Sequence, residues 1–393
     1  MMESVVIVSA CRTPIGKMNG AFSQMEASEL GGIVIKDALA RIGLPANQVD
    51  EVIMGSVLQA NQGQNVARQA AVKGGIPYEI PAYTINMVCG SGLKAISEGA
   101  KSIQCKEAEV VVAGGMENMS LSPYALEGAR EGYRLGNKEI VDLLIKDALQ
   151  DAFYGYHMGI TAENVAEKYG FTRDELDEFA LQSQQKCAEA IKNGKFKDEI
   201  TPVKINSKKQ QVVIDKDEAP RIDLKKEDLT KLKPAFKKDG VVTAGNSSGI
   251  NDGAAVVVLM SGKKAKELGI KPMVQWIGAT ECGMEPEIMG LGPVLSTKKL
   301  LEKYQYDIKD IDLVEANEAF SAQSLAVRQE LHLDEKKVNV NGGAIALGHP
   351  VGASGCRILV TLIYELLRQK KAKRGLATLC IGGGMGISAL IEK

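Results

Sequence analysis

Apolar and polar positions alternate along this chain in a pattern that occurs twice. The β-branched run Val5-Val6-Ile7-Val8 reads as a first strand, and Val274-Gln275-Trp276-Ile277 stands 269 positions later. Glu51-Val52-Ile53 before Gly55-Ser56 is matched by Asp312-Leu313-Val314 before Ala316-Asn317, an offset of 261. Ser91-Gly92-Leu93-Lys94-Ala95-Ile96 is matched by Ser354-Gly355-Cys356-Arg357-Ile358-Leu359, an offset of 263. Ala113-Gly114-Gly115-Met116 is matched in character by Ile381, Gly383, Gly384 and Met385, again 269 apart. Four matches in one order at a near-constant offset predict two homologous α/β halves. Residues 1–118 with 250–271 form the first half, and residues 272–393 the second. Leu93–Ile103 reads as a helix and Leu376–Leu379 as a strand.

Residues 119–249 do not share the repeat. Arg173 to Ile191 has helical periodicity, with Thr172 and Glu175 spaced as a capping box. Lys195 to Gly240 is highly charged and broken by Pro202, Pro220 and Pro234. This stretch reads as an inserted loop domain. Its lysines 225, 226, 231, 233, 237 and 238 form either a solvated face or an attraction for a phosphorylated substrate.

Composition narrows the class. At 393 residues the chain exceeds one ordinary core. Hydrophobic residues at 45% and charged residues at 25% place it among soluble globular proteins. A net charge of −1 argues against a nucleic-acid or membrane-surface partner. No apolar run approaches the ~18 residues of a membrane span, and the early Glu3 does not suit a signal peptide. The seven cysteines are odd in number, scattered and free of C-x-x-C spacing, so neither a disulfide framework nor a zinc site is expected. A reducing cytoplasm is.

Three segments carry candidate chemistry. In Asn86-Met87-Val88-Cys89-Gly90-Ser91-Gly92, a thiol stands where a helix begins. Free N–H groups and the helix dipole there favour the thiolate, and Gly90 and Gly92 leave room for a substrate. A small buried cysteine fits the same position. In Asn341 to Gly355, His349 lies in a Gly-rich turn fixed by Pro350, whereas His332 reads as a helix-end surface residue. In Cys380-Ile381-Gly382-Gly383-Gly384, a cysteine closes a strand beside three glycines, either facing a substrate or packed in a core.

Together with Asn317-Glu318-Ala319-Phe320, these segments resemble the thiolase family over essentially the whole chain. Tyr156-His157-Met158-Gly159 resembles its short-chain biosynthetic branch. The resemblance implies a duplicated thiolase-like fold, two α/β halves in a layered αβαβα core. It implies reversible condensation of two acetyl-CoA to acetoacetyl-CoA and CoA through an acetyl group on Cys89, with no cofactor beyond CoA and no metal. His349 would take the Cys89 proton and Cys380 would deprotonate the second acetyl group. His349 and a water on Asn317 would hold the enolate oxygen, and the N–H groups of Cys89 and Gly382 the other oxyanion. For CoA, the resemblance points to Arg221 over the adenine and Ser248, beside Ala244, on the pantetheine. It places His157 near the thioester, and Met158, Met289, Phe236 and Phe320 around the acyl end, where plain core packing is the other reading of the Met and Phe residues. It implies tight dimers, often paired into a homotetramer (a dimer of dimers), and the mixed apolar and charged pattern of Leu121–Lys146 makes that stretch the candidate tetramer contact. Three alternatives remain open. A non-catalytic acyl-CoA-binding or scaffold protein would not need Cys89, His349 and Cys380 together. A broad-range degradative thiolase shares the motifs, and a β-ketoacyl synthase would pair its Cys with two His or with His and Asn.

Overall fold

The computed structural model of the protein describes residues 3–206 and 211–393. Met1 and Met2 of the N-terminal segment, and residues 207–210 of the charged stretch, lie outside the described residues. Nine strands follow one hydrogen-bonded path. In chain order they are β1 (Val5–Arg12), β2 (Glu51–Gly55), β3 (Ala82–Ile85), β4 (Val110–Asn118), β5 (Asn251–Ser261), β6 (Val274–Gly283), β7 (Leu313–Ala316), β8 (Arg374–Ile381) and β9 (Met385–Glu392). Their order in the path is β7-β8-β9-β6-β1-β5-β4-β2-β3. The first half contributes β1-β5-β4-β2-β3 and the second β6-β9-β8-β7. The two series run outward from a shared seam in the same order of kinds, and β1 meets β6 there through Val5↔Trp276, Val6↔Gln275 and Ile7↔Val274.

The helices that matter to the site are α1 (Ala27–Ala40), α2 (Val66–Lys73), α3 (Ser91–Gln104), α4 (Met158–Tyr169), α5 (Arg173–Lys192), α6 (Gly292–Tyr304), α7 (Ser321–Glu330) and α8 (Val351–Arg368). Strands β4 and β5 show why layers form. Val110, Val112, Val256 and Val258 pack under α1 and α2 on one face. Val111, Ala113, Val257 and Leu259 pack on α3 and α8 on the other. A strand buried on both faces is apolar at consecutive positions, not at alternate ones. In the second half, Leu300 and Leu301 of α6 cover Val314, Leu376 and Leu390 from outside. The result is a five-layer stack, helix-strand-helix-strand-helix, with α3 and α8 in the middle. Those two cross at glycines. A Cβ on Gly92 would stand 2.9 Å from Cys356 N, and one on Gly355 2.6 Å from Leu93 N. The two glycines are the repeat partners in the sequence.

One repeat match does not mark equivalent positions. Gly114 and Gly115 lie inside β4, where a Cβ on Gly115 would come within 2.0 Å of Gly352 O. Gly383 and Gly384 instead form the turn between β8 and β9, at φ +82 and +81. Close approach selects glycine in the first place and left-handed backbone in the second. Between β4 and β5 the chain builds α4, α5 and two separate two-stranded ribbons, Tyr124–Leu126 with Ile140–Asp142 and Val203–Asn206 with Gln211–Ile214. The Thr172–Glu175 capping box is present at the start of α5.

Candidate functional site

Cys89 sits in the turn between β3 and α3. The residue before it, Val88, has φ +46. A β-branched residue in the left-handed region is strained, at a cost of about 1–3 kcal/mol that the surroundings must hold. They do so with short polar side chains. Val88 N donates to Asn86 Oδ1 (3.0 Å), Met87 N donates to Ser91 Oγ (2.8 Å), and Ser91 Oγ donates to Val88 O (2.6 Å). The turn is thus a strained elbow that projects Cys89 from the start of a helix.

His349 occupies the corresponding place before α8. Gly348 precedes it at φ +106. His349 N donates to Asn251 Oδ1 at 2.9 Å, which fastens this loop to the first half. His349 Nδ1 lies 2.5 Å from Ser354 Oγ, and Ser354 Oγ donates its one hydrogen to Pro350 O at 2.8 Å. The hydroxyl must therefore accept from Nδ1–H. That leaves Nε2 with a free lone pair. Asn317 Nδ2 stands 3.5 Å from it, and Asn317 Oδ1 is buried with no hydrogen-bond partner among the described residues.

Burial sets the protonation states. It pushes the Cys89 thiol up to about 11, against the N–H groups of Gly382 and of Cys89 itself, and the nearby charge of Glu117 adds to the rise. The expectation of a resting thiolate from the helix dipole is thereby corrected: the cost of a charge in this enclosed place outweighs the dipole. Burial, helped by Arg357, pushes His349 down to about 3, so its imidazole is neutral at rest. Cys380, at the end of β8, is fully buried, and burial followed by the charge of Cys89 raises its thiol far above the ordinary value. Cys380 therefore rests as a thiol.

Cys89, His349 and Gly382 line a cavity of about 440 Å³. His157, Met158, Phe236, Ala244, Ser248, Met289 and Phe320 line the rest of the same cavity. Its wall is held by aromatic contacts. His157 stacks on Phe236 at 4.6 Å, and Phe320 meets Phe236 edge-on at 6.3 Å. His157 Nδ1 also accepts from Gly159 N at 3.0 Å and so caps α4. Asn317 and Cys380 are not at the cavity surface but directly behind it, Asn317 on His349 and Cys380 within range of the Cys89 charge. Arg221 is not brought to the cavity. It is exposed, and its backbone N–H donates to Gln184 Oε1 at 2.8 Å.

Several residues of the cavity escape a sequence reading. Met18, Met119, Leu149 and Ile250 line it without any local motif. Val88 and Val351 were within reach, since each is adjacent in sequence to a singled-out residue. A larger cleft of about 600 Å³ between α5 and α7 contains none of the candidate residues and is rimmed by Asp174, Glu175, Glu178 and Glu335. Among the described residues no group of three or more His, Cys, Asp or Glu side chains is arranged to hold a metal ion.

The arrangement offers a shielded thiol, a neutral imidazole, two convergent N–H groups and a second thiol, all beside a narrow apolar cavity. That set suits acyl transfer through a covalent intermediate. Comparison with known proteins agrees. Residues 5–263 match the profile "Thiolase, N-terminal domain" and residues 270–393 the profile "Thiolase, C-terminal domain". The chain is 56% identical over 393 residues to an acetyl-CoA acetyltransferase of Pseudomonas aeruginosa, covering 100% of both. It is 52% identical over 393 residues, with the same coverage, to a probable acetyl-CoA acyltransferase of Staphylococcus aureus. The crystal structure of the Bacillus anthracis acetyl-CoA acetyltransferase superposes with a TM-score of 0.97 at 48% identity, covering 100% of this chain and 99% of that one.

Proposed function

The chain belongs to the thiolase family, and from that premise we propose that it is an acetyl-CoA C-acetyltransferase that condenses two acetyl-CoA to acetoacetyl-CoA and CoA, reversibly. The observation that carries this reading is that Cys89 and His349 line a single apolar cavity, with the Gly382 N–H directed at the Cys89 sulfur.

In the first stage Cys89 Sγ attacks the thioester carbonyl carbon while His349 Nε2 takes its proton. The carbonyl oxygen becomes an oxyanion between the N–H groups of Cys89 and Gly382. The C–S bond to CoA then breaks, and the CoA thiolate must gain a proton. Cys380 supplies it. Giving up that proton leaves Cys380 as a thiolate at the moment the second stage needs a base. In the second stage that thiolate takes a proton from the methyl carbon of a second acetyl-CoA. His349, protonated in the first stage, and a water held by the unpartnered Asn317 Oδ1 stabilise the enolate oxygen. The enolate carbon attacks acetyl-Cys89, the C–S bond to Cys89 breaks as acetoacetyl-CoA forms, and His349 returns its proton to the Cys89 sulfur.

Ser248 and Ala244 guide the pantetheine, His157 and Phe236 flank it, and Met158, Met289 and Phe320 close the acyl end. Arg221 meets the adenine outside the cavity. CoA enters only as part of the substrates, with no separate cofactor. A homotetramer, a dimer of dimers, is supported by the ribbon of Tyr124–Leu126 and Ile140–Asp142, which exposes Tyr124, Leu126, Leu135 and Ile140. A cytoplasmic location is supported by seven free thiols.

The name carried by the Staphylococcus aureus relative keeps a broad-range degradative 3-ketoacyl-CoA thiolase as the second reading. Chain length decides between them. Overpacking a close-fitting pocket costs about 1–3 kcal/mol, so thiolysis of acetoacetyl-CoA should exceed that of an eight-carbon ketoacyl-CoA at least ~10-fold in kcat/KM. Equal values would move the protein to the degradative branch.

A further inference from the structure

Glu117, at the end of β4, is fully buried and makes no contact that the acyl-transfer chemistry requires. Its carboxylate nevertheless collects three backbone N–H groups around the cavity. Oε1 accepts from Leu58 N at 3.1 Å, and Oε2 from Val57 N at 3.0 Å and Gly352 N at 2.8 Å. Val57 and Leu58 belong to the Cys89 half. Gly352 belongs to the first turn of α8, three residues after His349. Gly352 has no room for a side chain: a Cβ there would stand 2.6 Å from Glu117 Oε2 and 2.9 Å from Met116 O. The missing side chain is what lets the carboxylate reach the N–H. Val57, Leu58 and Val351 pack together with Cys89. The carboxylate therefore bolts the His349 helix onto the Cys89 half where the two halves must align.

We propose that Glu117 is a positioning residue for the acyl transfer, and that its ionised form holds His349 in register with Cys89. The proposal rests on the assignment of Cys89 and His349 given above. All three bonds are accepted by the carboxylate, and a proton on either oxygen would oppose an N–H donor, so protonation loosens the bracket. The titratable groups that interact with the Glu117 charge are Asp252 on β5 and Cys89 before α3, while the α8 turn reaches it through the Gly352 N–H and the 56–58 loop brings none. Burial raises Glu117 to about 7, with Asp252 adding to the rise and the three N–H groups opposing it. Cys89 at about 11 and His349 at about 3 lie far from that range.

The test is the pH profile of acetyl-CoA condensation for the wild type and for Glu117→Gln. The wild type should lose kcat/KM below an apparent pKa near 7. Glu117→Gln should fall about 10-fold or more in kcat, keep KM for acetyl-CoA within about twofold, and lose that acidic limb. A variant with wild-type kcat, or with the limb unchanged, overturns the proposal. So does a wild type with no limb between pH 5.5 and 8. If Glu117→Gln does not accumulate as folded protein, hydrogen exchange of the wild type decides. Corrected for intrinsic rates, the Val57, Leu58 and Gly352 amides should be protected at pH 8 and measurably less so at pH 6, and equal protection at both overturns the proposal. A wild type that never acetylates Cys89 would refute the functional reading instead, and the exchange result would still stand on its own.

Discussion

The Cys89 turn and the His349 turn occupy the same place in the two halves, yet they are built differently. Each functional residue lies two positions before a central helix, α3 at Ser91 and α8 at Val351. Each follows a residue with positive φ. In the histidine turn that residue is Gly348, which adopts φ +106 at little cost, and the turn is fastened from outside by Asn251. In the cysteine turn it is Val88, which is strained, and the turn is held from within by Asn86 and Ser91. The duplication supplied two equivalent helix starts. Strain is stored at the turn to which the proposal gives the nucleophile, while the turn to which it gives the base is relaxed and aligned by its neighbours.

The largest effect expected is on the nucleophile itself. Cys89→Ala should reduce turnover by about 10⁴-fold or more while CoA still binds, measured by steady-state condensation and by calorimetric titration of CoA. Residual turnover above a hundredth of wild type would break the division of roles between the two turns.

Exchanging the residue before each functional group tests the difference in strain. Gly348→Val places a Cβ 2.5 Å from Asn251 Cγ and forces a β-branched side chain to positive φ. It should cost about 3 kcal/mol or more. Val88→Gly relieves about 1–2 kcal/mol of strain. It gives back about 0.5–1 to glycine's freedom and about 1 to lost burial, so the net change should be within about 1 kcal/mol. Urea denaturation of both variants reads the contrast. Equal costs would show that the two turns carry equal strain.

The smallest effect sharpens the base. Ser354→Ala removes the acceptor for His349 Nδ1–H. Acetylation should slow about 10-fold, a fraction of the 10²–10⁴ that a positioned base contributes, because Asn251 still holds the loop. Stopped-flow release of CoA in a single turnover checks it. An unchanged rate would mean that Ser354 does not fix the tautomer.

Much of this was legible in the chain, for definable reasons. The apolar repeat located β1 against β6 and β2 against β7, because strands buried in equivalent places need the same pattern. Cys89, His349 and Cys380 stood out because glycines crowd around each. The thiolate that the helix start favours at Cys89 is outweighed by how deeply the sulfur lies, which is a property of the packed layers. The strain at Val88 is invisible in a sequence, since valine by itself predicts extended backbone. Met119 and Leu149 reach the cavity only because the inserted stretch folds back over it. Glu117 reads as one acid in a strand until Gly352 is seen to approach it.

The central claim is that the two cysteines divide the work, Cys89 forming the covalent bond and Cys380 moving the methyl proton. Cys380→Ser incubated with acetyl-CoA tests it most directly, with peptide mass spectrometry and exchange of the methyl protons into heavy water measured on one sample. A hydroxyl is a poor base near neutral pH. The expected result is an acetyl group on the peptide containing Cys89 together with loss of methyl exchange. An acetyl group absent from Cys89, or methyl exchange at the wild-type rate, would contradict the account.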